Sequence, residues 1–447
     1  MPFKYLFASA FFWIFCINSG SAQKLNADTI QQFNSDTLSI SLPQAEKMFL
    51  DKNLQLLAQK YNVDATKALI LQARLWPNPN FNISQVLYNT QTRKFFQVKR
   101  VTGSDAPTDP MNDGEEGLQV TQLVLMAGKI KKQVNIAKTN YKLAEDNLYD
   151  LLRTLRYGLR STYYNIYYLE QTAKVYHEEI NALKTIVAAF KEQEGKGYIP
   201  MTEVVSIQAQ LYGLQNEYQV LTDNINDQQS QLRLLLETGP KTYILPLVDT
   251  LAVDEARPTT ISLQTLLDSA SHNRTDLMIA KDNLVLSKEN LAYQKALGVP
   301  DLTFGFSYDK HGSYIPDITL ASLGFNVPIF NWNQGNIKSS KILIDFNKTN
   351  LAFTEESVSE QVTRALQKAI DADRLYRSID KSFAPTFDRL AKAVMENYVK
   401  RNMGLLDFLN FYDSYHTNIV QLNTIRYNRI NAFENLNFLS GTNFFNY

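Results

Sequence analysis

The side chains that do chemistry in proteins are sparse in this chain, and none stands at a spacing that catalysis or metal binding needs. The four histidines, His177, His272, His311 and His416, have no cysteine beside them and no second histidine four residues away on a helix face. They read as surface or packed imidazoles, and no metal site within the subunit is expected. Ser206 and Ser414 fall in helical patterns without the sharp strand-to-helix turn of a hydrolase nucleophile. No glycine-rich loop follows an apolar strand to cradle phosphate, and no cofactor is expected. Lys plus Arg and Asp plus Glu are 45 each, so the balanced charge implies no strongly basic surface for nucleic acid. An enzyme is the least supported class. What the charged residues can still do is shape and polarise a surface, which makes the elements that carry them the question.

The first of those elements is a leader. Lys4, an apolar run from Leu6 to Ile17, and the small residues Ser19, Gly20, Ser21 and Ala22 follow the order of a secretory signal peptide, with cleavage expected near Ala22. The run falls short of the roughly 20 residues that a spanning helix needs. The only cysteine, Cys16, lies inside this segment, so the mature chain is expected to have no disulfide, thiolate metal site or thiol nucleophile. No later apolar stretch approaches a spanning helix. An exported chain of this kind enters a membrane only as closed β-structure, because hydrocarbon leaves backbone groups no other partner.

The remaining pattern is helical and long. No proline falls between Pro110 and Pro200, and the next gap runs to Pro240. Val134, Ala137, Tyr141, Ala144, Leu148, Leu151, Leu155 and Gly158 recur at alternating spacings of three and four. So do Ile207, Leu211, Leu214, Tyr218, Leu221, Ile225, Gln228, Leu232 and Leu235. Such seams ask each helix to pack along a partner, and one helix from Gly128 to Gln193 would span about 100 Å at about 1.5 Å per residue. The seams return as Val358, Val362, Ala365, Ala369, Ala372, Tyr376 and Ile379, then as Leu405, Phe408, Tyr412, Tyr415, Ile419 and Leu422, with Pro385 predicted to break the helix between them.

The chain also repeats. One offset carries Leu42 to Leu263 and Pro79 to Pro300, and in each copy two short strand-like runs precede a glycine and a long helix. The expected organisation is a signal peptide at 1–22, a first repeat at 23–240, a linker at 241–260, a second repeat at 261–441 and a C-terminal tail at 442–447. Phe304, Phe306 and Tyr308 alternate with small or polar residues, as do Leu323, Phe325 and Val327. In copy one Phe81, Ile83 and Leu87 share a face, with Leu118 and Val120 on the later strand. An apolar face opposite a polar one suits a barrel strand between lipid and lumen, or a half-buried soluble hairpin. The connections 93–113 and His311 to Pro316 read as exposed loops. Phe81, Tyr88, Tyr314 and the strand aromatics could form interfacial girdles, whereas Phe330 and Trp332, at the strand-to-helix step, could instead pack between barrel and helices.

These features resemble the outer-membrane efflux protein family, the TolC-type outer-membrane factors, over about Leu42 to Gly441. The most specific pieces are LQVTQLVLMAGKIKKQ and LGFNVPIFNWNQGNIKSS, where Pro328, Ile329, Phe330 and Gly335, and less closely Leu123, Val124, Leu125 and Gly128, match the family's step from strand to long helix. The turns GKGYIPMTEVVSIQAQL and VKRNMGLLDFLNFYDSY are similar to the family's helix-pair turns, where a glycine stands six residues before an acid. Gly197 and Glu203 fit, with Pro200 between them. Arg401 replaces the glycine before Asp407, and Gly404 is expected to serve in its stead.

The resemblance implies a mostly helical fold with a transmembrane β-barrel portion. Long coiled-coil helices would form a trimeric α-helical tunnel, and each chain would give four strands to a shared twelve-stranded barrel. It implies an outer-membrane location with a large periplasmic portion, a homotrimer working with a periplasmic adaptor and an inner-membrane pump of RND or ABC type, and passive conduction in efflux or type I secretion. Four strands cannot close alone, which independently asks for partners. The resemblance places Asp407 and Glu203 at the periplasmic mouth as gate candidates, with Lys400 or Arg401 offsetting the repulsion among carboxylates; each acid would also complement a helix dipole. An exported coiled-coil protein without a pore is the alternative. A periplasmic adaptor would need a lipoyl-like β-domain between its helices, and none is evident.

Overall fold

A computed structural model describes residues 36–89, 93–96, 117–311, 316–380 and 382–446. The expected signal peptide with Cys16, most of the 93–113 loop, and Tyr314 lie outside the described residues.

The long proline-free stretch is one helix, α3, running 67 residues over Lys129–Gly195, followed by α4 over Met201–Leu236. In the second copy the same course is split between α8 (Gln334–Ser378) and α9 (Phe383–Val399), followed by α10 (Leu405–Ser440). Pro385 sits in the first turn of α9, where a missing N–H costs nothing. Its ring would clash with the carbonyl four residues earlier if α8 ran through, so the break comes at 379–382.

Ahead of each long helix stands a bent pair of shorter ones. Strand β1 (Asp36–Ser41) leads into α1 (Leu42–Lys52) and α2 (Leu54–Arg74), and α6 (Leu263–Asn273) leads into α7 (Thr275–Leu297). The two halves of the chain thus share one order of helices.

Four strands form one antiparallel sheet in the order β2 (Asn80–Ser84), β5 (Gly117–Val124), β7 (Leu302–His311), β8 (Pro316–Phe325). A small hairpin of β3 (Tyr88–Asn89) and β4 (Lys94–Phe95), not foreseen, stands beside it in the chain. The register puts Phe81 beside Val120, Val120 beside Phe306, and Phe306 beside Ala321, so the aromatic and aliphatic residues share one face. Asn82, Gln119, Ser307, Gly305 and Ser322 share the other, with Leu320 as an exception. Val327, expected on the alternating strand, lies past the end of β8.

Helices α2, α3, α7 and α8 pack side by side in the same order as the strands they join. Sheet and helices thus form one continuous layer whose open edges are β2 with α2 and β8 with α8. Both helical edges expose large apolar side chains: Leu57, Tyr61, Leu69 and Leu71 on α2, and Ile342, Leu343, Phe346 and Phe353 on α8.

At the waist, residues 241–260, expected as a linker, are built into structure. Strand β6 (Thr242–Leu247) pairs in parallel with β1, and α5 (Thr250–Glu255) and a 3-10 turn follow. The predicted seam of α4 is displaced by one residue here: Gln229 and Leu236 are buried, not Gln228 and Leu235. A helix drifts from a strict heptad by part of a turn over this length. Gln229 bonds both the carbonyl and the N–H of Ile244, which fixes β6 against α4. The expected tail folds back: Phe445 stacks on Phe433 at 4.7 Å, held by Asn437. No helix among the described residues is long and apolar enough to cross a membrane.

Candidate functional site

The two turns that join long helices are superposable in hydrogen bonding. In the first, the N–H of Tyr198 bonds the Gln193 carbonyl at 2.9 Å while Gly197 takes φ +74°. In the second, the N–H of Asn402 bonds the Asn397 carbonyl at 2.9 Å while Arg401 takes φ +65°. Both are helix-terminating turns with a left-handed residue, a place where glycine is ordinarily preferred. Arg401 itself adopts that conformation, so Gly404 does not substitute for the missing glycine. Gly404 is the extended N-cap of α10, and Pro200 is the N-cap of α4. Glu203 and Asp407 then occupy matching first-turn positions, where a carboxylate complements the helix dipole.

From there the two acids diverge. Glu203 is largely buried between the tips and accepts hydrogen bonds from the Arg401 guanidinium at 2.7 Å and the Tyr398 hydroxyl at 3.1 Å. The Arg401 guanidinium also lies 4.6 Å above the Phe190 ring, and Tyr398 stacks on Phe408 at 4.1 Å. Burial, with the charge of Glu203 behind it, pushes the Tyr398 phenol up, so it remains a donor at neutral pH. Asp407 is exposed and forms no ion pair among the described residues. The donors expected to offset it are engaged elsewhere: Arg401 with Glu203, and Lys400 with Glu396 at 3.6 Å. The geometry thus joins Glu203, Tyr398 and Arg401 into one clamp across the two hairpins and leaves Asp407 out of it.

The strand-to-helix steps match in a different way from the sequence expectation. Gly128 caps α3 at φ +65°, and the residue in the equivalent place before α8 is Asn333 at φ +69°, not Gly335. Gly335 lies in the first turn of α8 in ordinary helical conformation. Asn333 tolerates the left-handed region and uses its amide to bond the Gln294 carbonyl at 2.7 Å. At the first step the buried Lys129 ammonium donates to Asp301 at 2.6 Å and the Val299 carbonyl at 2.8 Å, tying α3 to the start of β7. Pro328 is half-buried, whereas Phe330 is 91% exposed and Trp332 is also exposed. They do not pack between sheet and helices, because the segment carrying them follows the open edge strand β8.

Residues 47–238 match the sequence model of the family described as outer membrane efflux protein. Over those residues, less than half of its length, the chain is similar to the outer membrane efflux protein family. No curated protein matches it in sequence. Among solved structures, the chain is similar in fold to the Campylobacter jejuni CmeC outer membrane channel, at 16% identity and TM-score 0.71 over 90% of this chain and 86% of that one. It is also similar to the outer membrane protein VceC from Vibrio cholerae, at 14% and 0.66 over 90% and 96%. The open state of the Neisseria gonorrhoeae MtrE outer membrane channel gives 14% and 0.64 over 90% and 89%.

The chain carries further interior polar groups that its sequence did not single out. Tyr398 had a usable signal, lying one helical turn before Arg401. Arg429, 1% exposed, had none: it bonds Asp373 at 2.7 Å and the carbonyls of Val253 and Ala256, fastening α10 to α8 and the waist. Arg160 joins Glu46 and Glu434 in the same fashion. Arg429 and Arg160 thus hold α10 and α3, which pack beside the clamp-bearing helices α9 and α4.

Proposed function

We propose that three copies of this chain close into one outer-membrane channel, each giving four strands to a shared barrel and its long helices to a periplasmic tunnel. The observation that carries this reading is the matched order of strands and helices in one layer with open edges at both sides. A lone four-stranded sheet in lipid would leave two rows of backbone groups unpaired, and the apolar residues on α2 and α8 offer each copy a neighbour to cover them. The apolar sheet face, with Phe81, Phe304, Phe306 and Phe325, would meet lipid, and the face with Gln119 and Ser307 would meet water.

Conduction is passive, since the chain carries no phosphate loop or other energy-coupling motif. A periplasmic adaptor and an inner-membrane pump would load solute at the helical tips. There the clamp of Glu203, Tyr398 and Arg401 holds the hairpins together, while three exposed Asp407 carboxylates near the axis would favour cations. Protein purified in detergent and reconstituted in planar bilayers is expected to give discrete conductance steps from a trimeric species. A monodisperse monomer that partitions into membranes without conducting would overturn the reading.

A further inference from the structure

His416 of α10 is buried with a carboxylate oxygen against each of its ring nitrogens. Nδ1 lies 2.7 Å from Glu179 of α3, and Nε2 lies 3.2 Å from Glu217 of α4. A neutral imidazole carries one N–H and can donate to only one of them, leaving a lone pair facing an anion. The geometry is complete only when the ring carries two protons or one carboxylate is itself protonated.

Among the described residues, no other cation pairs with the trio, and His416 is the only ion-pair partner of Glu179 and Glu217. From α3, Tyr176 sets its ring edge-on to His416 at 4.5 Å and donates its hydroxyl to Glu217, and Glu178 adds a further negative charge. From α4, Tyr218 contacts Tyr176; from α10, the hydroxyl of Tyr412 is buried without a partner, and Tyr415 is turned to Asp388 of α9. Glu179 is 4% exposed and its Oε1 has no partner, so with a neutral ring beside it the carboxylate would be a buried charge lacking a countercharge.

We propose that His416, Glu179 and Glu217 form a proton-operated latch between the two helical hairpins, closed when the trio holds its extra proton and released as pH rises. The latch lies in the same packed interface as the Glu203 clamp, with Glu179 about 24 Å up α3 from the tip at about 1.5 Å per residue. Parting the hairpins to widen the mouth requires breaking both. Burial opposes the charge on His416, but the hydrogen bond and charge of Glu179, then Glu217, outweigh it and raise the group above its ordinary value. Burial raises Glu179 as well, against the pull of His416. Both shifts mean that the folded trio binds more protons than the separated groups, so its contribution is full at low pH and falls as pH rises.

The inference rests on the channel reading, and the test separates the two. Wild-type trimers in planar bilayers are stepped on the helical side from about pH 5.5 to about pH 8.5, the range in which a histidine switch acts. Open probability should rise several-fold in the wild type and stay flat in His416→Gln. In Glu217→Gln, where one carboxylate no longer favours the imidazolium, the rise should move to lower pH. Where His416→Gln fails to assemble, Glu217→Gln decides. An unshifted response in either variant, or a flat wild-type response, overturns the latch. If no species conducts at any pH, the channel reading fails instead, and the latch is judged by histidine NMR of the same samples. A His416 titration at or below the ordinary histidine value would then sink it, and one above that value, lowered by Glu217→Gln, would sustain it.

Discussion

Arg401 holds the same left-handed backbone as Gly197, at φ +65° against +74°, and spends its side chain on Glu203 of the other hairpin. A side chain at this φ costs about 1 kcal/mol relative to glycine. Arg401→Gly and Arg401→Ala should both remove the clamp and raise open probability in bilayers to a similar extent. In chemical denaturation, however, the alanine variant should be the less stable by about 1 kcal/mol. Equal stabilities would mean that the turn is not strained.

Asp407 and Glu203 share a place in their helices but not their partners. Asp407→Ala should reduce cation selectivity, measured as a shift in reversal potential across a salt gradient, with a stability loss of about 0.3 to 1 kcal/mol from the helix dipole. The same change at exposed Asp227 should leave selectivity alone. Glu203→Gln should do the reverse of Asp407→Ala, loosening the mouth with little effect on selectivity.

Asp146 of α3 sets a pH dependence of its own. Burial first, then the neighbouring carboxylate of Asp282 on α7, push its carboxyl up to about 6. A folded-state value above the unfolded one means stability that is present at low pH and lost as pH rises to about 6. Asp146→Asn should abolish that loss, so its melting temperature should exceed that of the wild type at pH 7 and match it near pH 4. A variant less stable than the wild type at pH 7 would contradict the assignment.

Neighbouring residues of β7 should differ in their surroundings. Cysteine at Phe306 should react with a lipid-soluble thiol reagent and resist a polar one in intact membranes, and cysteine at Ser307 should show the opposite preference. Matching reactivity at the two positions would remove the lipid and lumen faces.

The sequence by itself determined the helices, because their lengths follow from local causes. The proline gap before Pro200 leaves nothing to interrupt α3, Pro385 forbids continuity between α8 and α9, and the heptad seams require partners. The alternation of Phe304, Phe306 and Tyr308 likewise set the apolar face of β7 before any pairing was known.

What only the tertiary structure decided lies where a residue's role depends on a distant segment. Whether Arg401 could stand in for glycine depended on Glu203 and Phe190, brought to it from the other hairpin, whose contacts offset a backbone that its own type disfavours. The same holds for Asn333 in place of Gly335, anchored by Gln294. His416 was read as a surface or packed imidazole because nothing near it in the chain marks it. Its two carboxylates arrive on α3 and α4, and a seam one residue off the strict heptad turns it inward in place of Tyr415. Spacing along the chain records the period of a helix, but the charge that a buried ring must carry is fixed by neighbours that only packing supplies.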